Sequence, residues 1–238
     1  MKKTIILSFI SLLSVLTLAS CKVERIDKDR GPVKTFAVDA KDFNGINISY
    51  PAKVTYIPSD TFSVTVKAAE KDRENTIIRV KDGVLQISPE GTWGEKKKYL
   101  IFNSNHDDME ITVKAPSISS VNIAGSGVFK CNTTMKAPHL LLSIVGSGDI
   151  DIKNIEAKLV SAGIVGSGDI NVGVTNASKA EAKISGSGDI DMKCHNCDDV
   201  VADISGSGDI TLSGNTKSLD KSVSGSGDIH TEELTVKK

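Results

Sequence analysis

Aromatic residues are scarce in this chain: one Trp, three Tyr and six Phe among 238 residues. So few rings disfavour an extended base-stacking groove for single-stranded nucleic acid. An excess of either charge is also lacking. With 29 Lys and Arg against 30 Asp and Glu, the formal net charge is -1, which supplies no general attraction to phosphate or to an anionic lipid surface. Nucleic acid is therefore not an expected partner. Four cysteines are too few to frame a chain of this length, so packing and hydrogen bonds must hold most of the fold. The hydrophobic fraction, 39% beside 25% charged residues, suffices for one ordinary domain or two small ones with a real core.

The one long apolar run, Ile5 to Leu18, follows Lys2 and Lys3 and ends at Leu18-Ala19-Ser20-Cys21. It is short for a bilayer span and has the three-part form of a secretory signal. The Leu-Ala-Ser-Cys ending resembles the lipobox of bacterial lipoproteins, which implies cleavage before Cys21 and attachment of lipid to it. Two or three acyl chains would give stable anchoring. Loss of residues 1–20 removes Lys2 and Lys3 and no acid, leaving 27 basic against 30 acidic residues, a net of about -3. Residues 21–33 are charged, lack apolar periodicity and contain Gly31-Pro32, as expected of a tether. Lys22, rather than Asp, follows the Cys. By resemblance to inner-membrane retention signals this favours the outer membrane, with the periplasmic or cell-surface face left open.

An internal repeat decides the fold class. Gly-Ser-Gly begins at 125, 146, 166, 186, 206 and 225, and five of the six copies continue as Gly-Ser-Gly-Asp-Ile. After each corner Phe129, Ile150, Ile170, Ile190, Ile210 and Ile229 hold one slot. Before it Ile144, Ile164, Ile184, Ile204 and Val223 hold another. Both halves of the unit alternate apolar and other residues with period 2, the pattern of half-buried strands. A unit of about 20 residues cannot bury its own face, so copies must stack. The expectation is all-β: a parallel β-helix, or β-solenoid, over 125–238. Residues 34–124 carry longer and less regular alternation, including Ile46 and Ile48, Val54 and Tyr56, Val64 and Val66, and Ile111 and Val113. They read as N-terminal β-rungs or a cap, in one continuous domain over 34–238. Ser88 to Met109 reads as a long exposed excursion, with a short strand at Tyr99 to Phe102.

Phe43-Asn44-Gly45-Ile46, Asp82-Gly83-Val84-Leu85, Ala115-Pro116 followed by Ile118, and the serial Gly-Ser-Gly-Asp units together resemble the family called "putative auto-transporter adhesin, head GIN domain". The resemblance covers about 36–238. It implies a secreted or lipid-anchored β-helical domain and brings no catalytic motif.

Candidate chemistry is sparse. Cys194-His195-Asn196-Cys197 is a CxxC, yet no helix N-terminus is expected there to activate a thiol, and a zinc site would need two further ligands. Cys131 shares the slot of Ile152 and Val172, and Cys197 that of Ala137, Ala157 and Ala177, so small buried residues are the plainer reading. A local 194–197 disulfide stays open. His106, His139, His195 and His230 form no ligand spacing. No cofactor is expected.

The more regular feature is a column of outward carboxylates, Asp149, Asp169, Asp189, Asp209 and Asp228, joined by Asp151 and Asp191. Neighbours one rung apart would repel by about 0.9 kcal/mol in water. Either each Asp accepts backbone N–H groups at the glycine corner, with Lys153 and Lys193 neutralising the face, or the column is a weak calcium stripe. Trp93, between Gly91 and Gly94, is a candidate ligand contact or a lid over one end of the solenoid.

These features point to a membrane-anchored, non-catalytic binding or structural module, plausible as an adhesin, with an unidentified protein or glycan ligand. The alternatives are a polysaccharide-active β-helix enzyme, a lyase or hydrolase using paired acids such as Asp149 and Asp151, and a periplasmic envelope protein with a protein partner. Oligomeric state is not fixed by the sequence.

Overall fold

The computed structural model describes residues 30–90 and 109–237. Cys21, most of the tether, Trp93 and the strand expected at 99–102 lie outside those residues. In chain order the elements are β1 (Val33–Val38), β2 (Gly45–Ile48), β3 (Lys53–Pro58), β4 (Ser63–Ala69), α1 (Glu70–Glu74), β5 (Thr76–Lys81) and β6 (Val84–Pro89). There follow β7 (Glu110–Ala115), β8 (Ser120–Gly125), β9 (Val128–Lys136), β10 (His139–Gly146), β11 (Asp149–Glu156), β12 (Leu159–Gly166), β13 (Asp169–Thr175), β14 (Lys179–Gly186), β15 (Asp189–Gly206), β16 (Ile210–Gly225) and β17 (Ile229–Val236).

The protein is a β-solenoid of parallel stacked strands, as the repeat implies. One wall stacks β6, β2, β8, β10, β12, β14 and the second halves of β15 and β16. The other stacks β7, β3, β9, β11, β13, the first halves of β15 and β16, and β17. Seven intervals of about 4.8 Å give a rod of roughly 34 Å. Register is kept by identity: Ile144 pairs Ile164, Ile164 pairs Ile184, and Ile184 pairs Ile204, all inward. A one-residue slip would turn every such side chain to solvent, which is why the register holds.

The glycine corners enforce the stacking. Gly166 has φ +133, and a Cβ on it would lie 2.3 Å from the carbonyl oxygen of Gly146 one rung below. At Gly168 a Cβ would lie 2.2 Å from the Gly148 carbonyl oxygen. The first glycine is thus needed for its backbone conformation and the second for contact. Between them Ser167 N–H donates to the Gly146 carbonyl at 2.8 Å, and Ser187 repeats the bond to Gly166 at 2.8 Å.

The N-terminal strands stack out of chain order. β2 lies between β6 and β8, and β3 between β7 and β9. The chain lays down an inner rung first, returns to build the outer one, and then resumes on the inner side. Antiparallel pairing of β1 with β4, β4 with β7 and β5 with β6 finishes this end. The β5–β6 hairpin turns through Asp82 (φ 52) and Gly83 (φ 74), two left-handed residues that suit a tight two-residue loop. Arg30 Nε donates to Asp72 Oδ2 at 2.8 Å, docking the chain just before β1 onto α1.

The other end has no such cover among the described residues. Among the described residues β17 pairs only with β16, and the second half of β16 only with β15. In the column of Leu142, Ala162, Ala182 and Ala202, this last half-rung carries the exposed Lys221. A charge in a core-facing slot is one way natural sheets blunt a free edge.

Candidate functional site

The aspartate column exists as a ladder, because Asp149 pairs Asp169 and Asp169 pairs Asp189 in register. Its carboxylates reach upward along the rod. Asp169 Oδ1 accepts from the backbone N–H of Asp189 at 3.3 Å, Asp189 Oδ1 from Asp209 at 2.9 Å, and Asp209 Oδ1 from Asp228 at 2.8 Å. Each of these acids caps the N–H of the next rung, which offsets the repulsion between them. Lower in the stack the N–H of Asp149 and Asp169 donate instead to the carbonyls of Gly127 and Gly148, at 3.0 and 3.2 Å. Among the described residues neither Lys153 nor Lys193 forms an ion pair with the ladder. The cation that reaches this face is Lys130, 3.7 Å from Asp151. No group of three His, Cys, Asp or Glu among the described residues could hold a metal ion.

The described cysteines are core residues. Cys131, Cys194 and Cys197 are all buried. Cys197 Sγ donates to the Val174 carbonyl at 3.8 Å. The neighbouring Cys197 and burial push the Cys194 thiol far up, while Cys194 beside it draws the Cys197 thiol down. Of the histidines, His139 and His195 are exposed and His230 is half-buried, on three different strands.

A third feature was not read from the sequence. On the outer face of β10 and β12, Leu141, Val145, Leu159 and Val165 are 48%, 54%, 42% and 55% exposed. Val145 and Val165 are directly paired across adjacent rungs. Leu141 pairs Ser161, and Leu159 sits between His139 and Lys179. Gly163, at the centre of this face, pairs Ser143 and Lys183, and a Cβ on it would meet nothing within 4 Å. Packing therefore does not require glycine there, although an interior strand glycine costs stability. Beside it a shallow depression of about 310 Å³ is lined by Leu141, Leu159, Ser161, His139, Lys179 and Glu181. Lys179 donates to Glu181, which raises the lysine and lowers the carboxyl. Lys183 lies 3.8 Å from Asp203. The result is a flat aliphatic patch with a rim of mixed, mutually paired charges. Period-2 counting from the glycines already turns Leu141, Val145 and Val165 outward. Only two copies carry them, so a repeat-wide reading passes them over.

Solved structures similar to the chain share this architecture. A "putative adhesin" from Bacteroides fragilis aligns with TM-score 0.69 and 20% identity, over 84% of this chain and 96% of that one. A "putative lipid binding protein" from Parabacteroides distasonis aligns at 0.56 and 25%, over 84% and 96%. A "putative adhesin" from Parabacteroides distasonis aligns at 0.54 and 19%, over 84% and 97%. No curated protein matches the chain. The family model for "putative auto-transporter adhesin, head GIN domain" matches residues 42–230, so the chain belongs to that family.

Proposed function

We propose that this protein is an outer-membrane lipoprotein, anchored through Cys21, whose solenoid is a non-catalytic, adhesin-like module that docks a protein partner on the outer face of β10 and β12. The observation that carries this reading is the two-rung aliphatic patch of Leu141, Val145, Leu159 and Val165. An apolar centre inside a mixed-charge rim has the anatomy of a protein–protein contact. A glycan would want aromatic platforms, and none of the described aromatic side chains is fully exposed: Phe43, Tyr50, Tyr56 and Phe129 are buried, and Phe36 and Phe62 pack on the core. The depression is open and shallow, which suits a surface partner better than an enclosed substrate. The leader with Cys21, and membership in an adhesin family, support an extracytoplasmic location.

Latex beads carrying the purified protein test the partner class. Expected is retention on extracellular matrix that is lost after the matrix is digested with protease. Retention that survives protease and disappears after glycosidase treatment, or equal retention on phosphatidylcholine vesicles, would contradict a protein partner.

A further inference from the structure

We propose that Cys194 and Cys197 are joined by an intrachain disulfide in the exported protein. The corner dividing β15 turns through His195 and Asn196, both exposed, and Asn196 is left-handed at φ 53. The residues on either side point inward: Cys194 is 0% and Cys197 1% exposed. One rung below, the same corner places left-handed Asn176 between inward Val174 and Ala177. One rung above, the corresponding slots hold Gly214 and Thr216. Thus the two inward slots meet across a two-residue corner in successive rungs, and in this rung both hold sulfur. Both are buried free thiols, and Cys197 Sγ turns toward the Val174 carbonyl, 3.8 Å away in the inward slot one rung below. Cys131 lies three strands down the stack, on β9, at roughly 14 Å, and cannot compete. A metal would need further ligands that the described residues do not bring to the corner.

The inference rests on the extracytoplasmic location proposed above, because disulfides persist where the compartment is oxidising. The oxidant is of the disulfide class. One cysteine thiolate attacks it, forming a mixed disulfide and releasing one thiolate. The other cysteine then displaces the second, so one Sγ–Sγ bond forms, the oxidant's S–S bond breaks, and its two sulfurs leave as thiols carrying both protons. A mixed disulfide does not fit slots this buried, so exchange precedes the docking of β16 on β15. The bond would close a corner two layers in from the end of the stack that no further strand covers among the described residues, where fraying would begin.

Peptide mapping of the full-length exported protein tests this. Free thiols are alkylated in denaturant before cleavage after lysine. Cys194 and Cys197 fall in one peptide, 194–217, and Cys131 in another, 131–136. Expected is a 194–217 peptide two hydrogens lighter than the dithiol, alkylated only after reduction, beside a 131–136 peptide alkylated at once. Double alkylation of 194–217 without reduction would overturn the proposal. A second arm separates chemistry from location: the purified protein is reduced, unfolded and refolded in oxidised and reduced glutathione. Closure of 194–197 there supports the pairing even if the chain proves not to be exported. Three free thiols, or a bond to Cys131, overturns it. Reductant should also lower the melting temperature of the wild type while leaving unchanged a Cys194→Val, Cys197→Ala variant, which copies the rung below.

Discussion

The backbone N–H of Asp209 donates to Oδ1 of Asp189 one rung below, at 2.9 Å. The bond needs only an acceptor oxygen, so charge and hydrogen bonding can be separated by substitution. Asp169→Asn with Asp189→Asn keeps an acceptor and removes repulsion between neighbours, and stability in urea should hold or rise slightly. The corresponding Ala pair should cost about 1 kcal/mol per site. Were the ladder a calcium stripe, Asn would damage it almost as much as Ala. Millimolar calcium would then raise the wild-type melting temperature by mass action.

Two glycines five residues apart should respond in opposite directions to the same change. Gly168→Ala drives a methyl group to within 2.2 Å of the Gly148 carbonyl oxygen and next to Ile144. The rungs must separate, which should cost several kcal/mol, among the largest single-site effects in such a domain. Gly163→Ala fills open space on the outer face and should stabilise by about 0.5–1 kcal/mol through the unfolded chain. Chemical denaturation of the two variants beside wild type checks both signs.

Tyr56 gives the fold an alkaline limit. Its hydroxyl donates to the Ala115 carbonyl at 2.9 Å, and burial pushes its pKa up to about 12. Between the unfolded value near 10 and the folded one, the unfolded chain holds fewer protons than the folded chain, so stability falls as pH rises through that window. The loss is at most about 3 kcal/mol. Tyr56→Phe should be less stable than wild type at pH 8, by about 1 kcal/mol for the lost hydrogen bond, and should show a shallower decline from pH 10 to 12. Tyr50, also raised by burial, contributes to the slope that remains.

Lys221 should keep the rod from growing. It is exposed in the column that Leu142, Ala162, Ala182 and Ala202 fill with core, and half-buried Thr231 follows Ile229 on the last strand. Lys221→Val with Thr231→Val makes the last rung resemble an interior one with a free edge. Light scattering should then show concentration-dependent end-to-end association. A monodisperse double variant that matches the wild type would contradict this role.

The sequence made the repeating half of the molecule legible because register there is carried by identity: each Gly-Ser-Gly must lie on the one before it, and parity from that corner orients every side chain. The N-terminal rungs lack such a marker. Nothing in Ile46 and Ile48 indicates that β2 must sit between β6 and β8, since that order depends on pairings between strands some 40 and 70 residues away. β5 and α1 escaped for a related reason, being short elements fixed by what they pack against. The aspartates were visible as a column, but their acceptor role runs to the next rung rather than within the corner. The aliphatic patch needs both parity and register: Leu141 and Leu159 belong to different outward columns and become neighbours only once β10 lies on β12.

The most direct test of the central claim, that the outer face of β10 and β12 is the contact surface, is the retention of beads carrying Leu141→Ser, Val165→Ser protein on undigested extracellular matrix. Both side chains are about half exposed, so the variant should melt within a few degrees of wild type. Expected is at least a tenfold loss of retention, while Asp149→Asn, Asp169→Asn protein, altered on the opposite wall, is retained like wild type. Undiminished retention of the Leu141→Ser, Val165→Ser beads, with loss in the aspartate variant, would contradict the assignment and move the contact surface to the ladder.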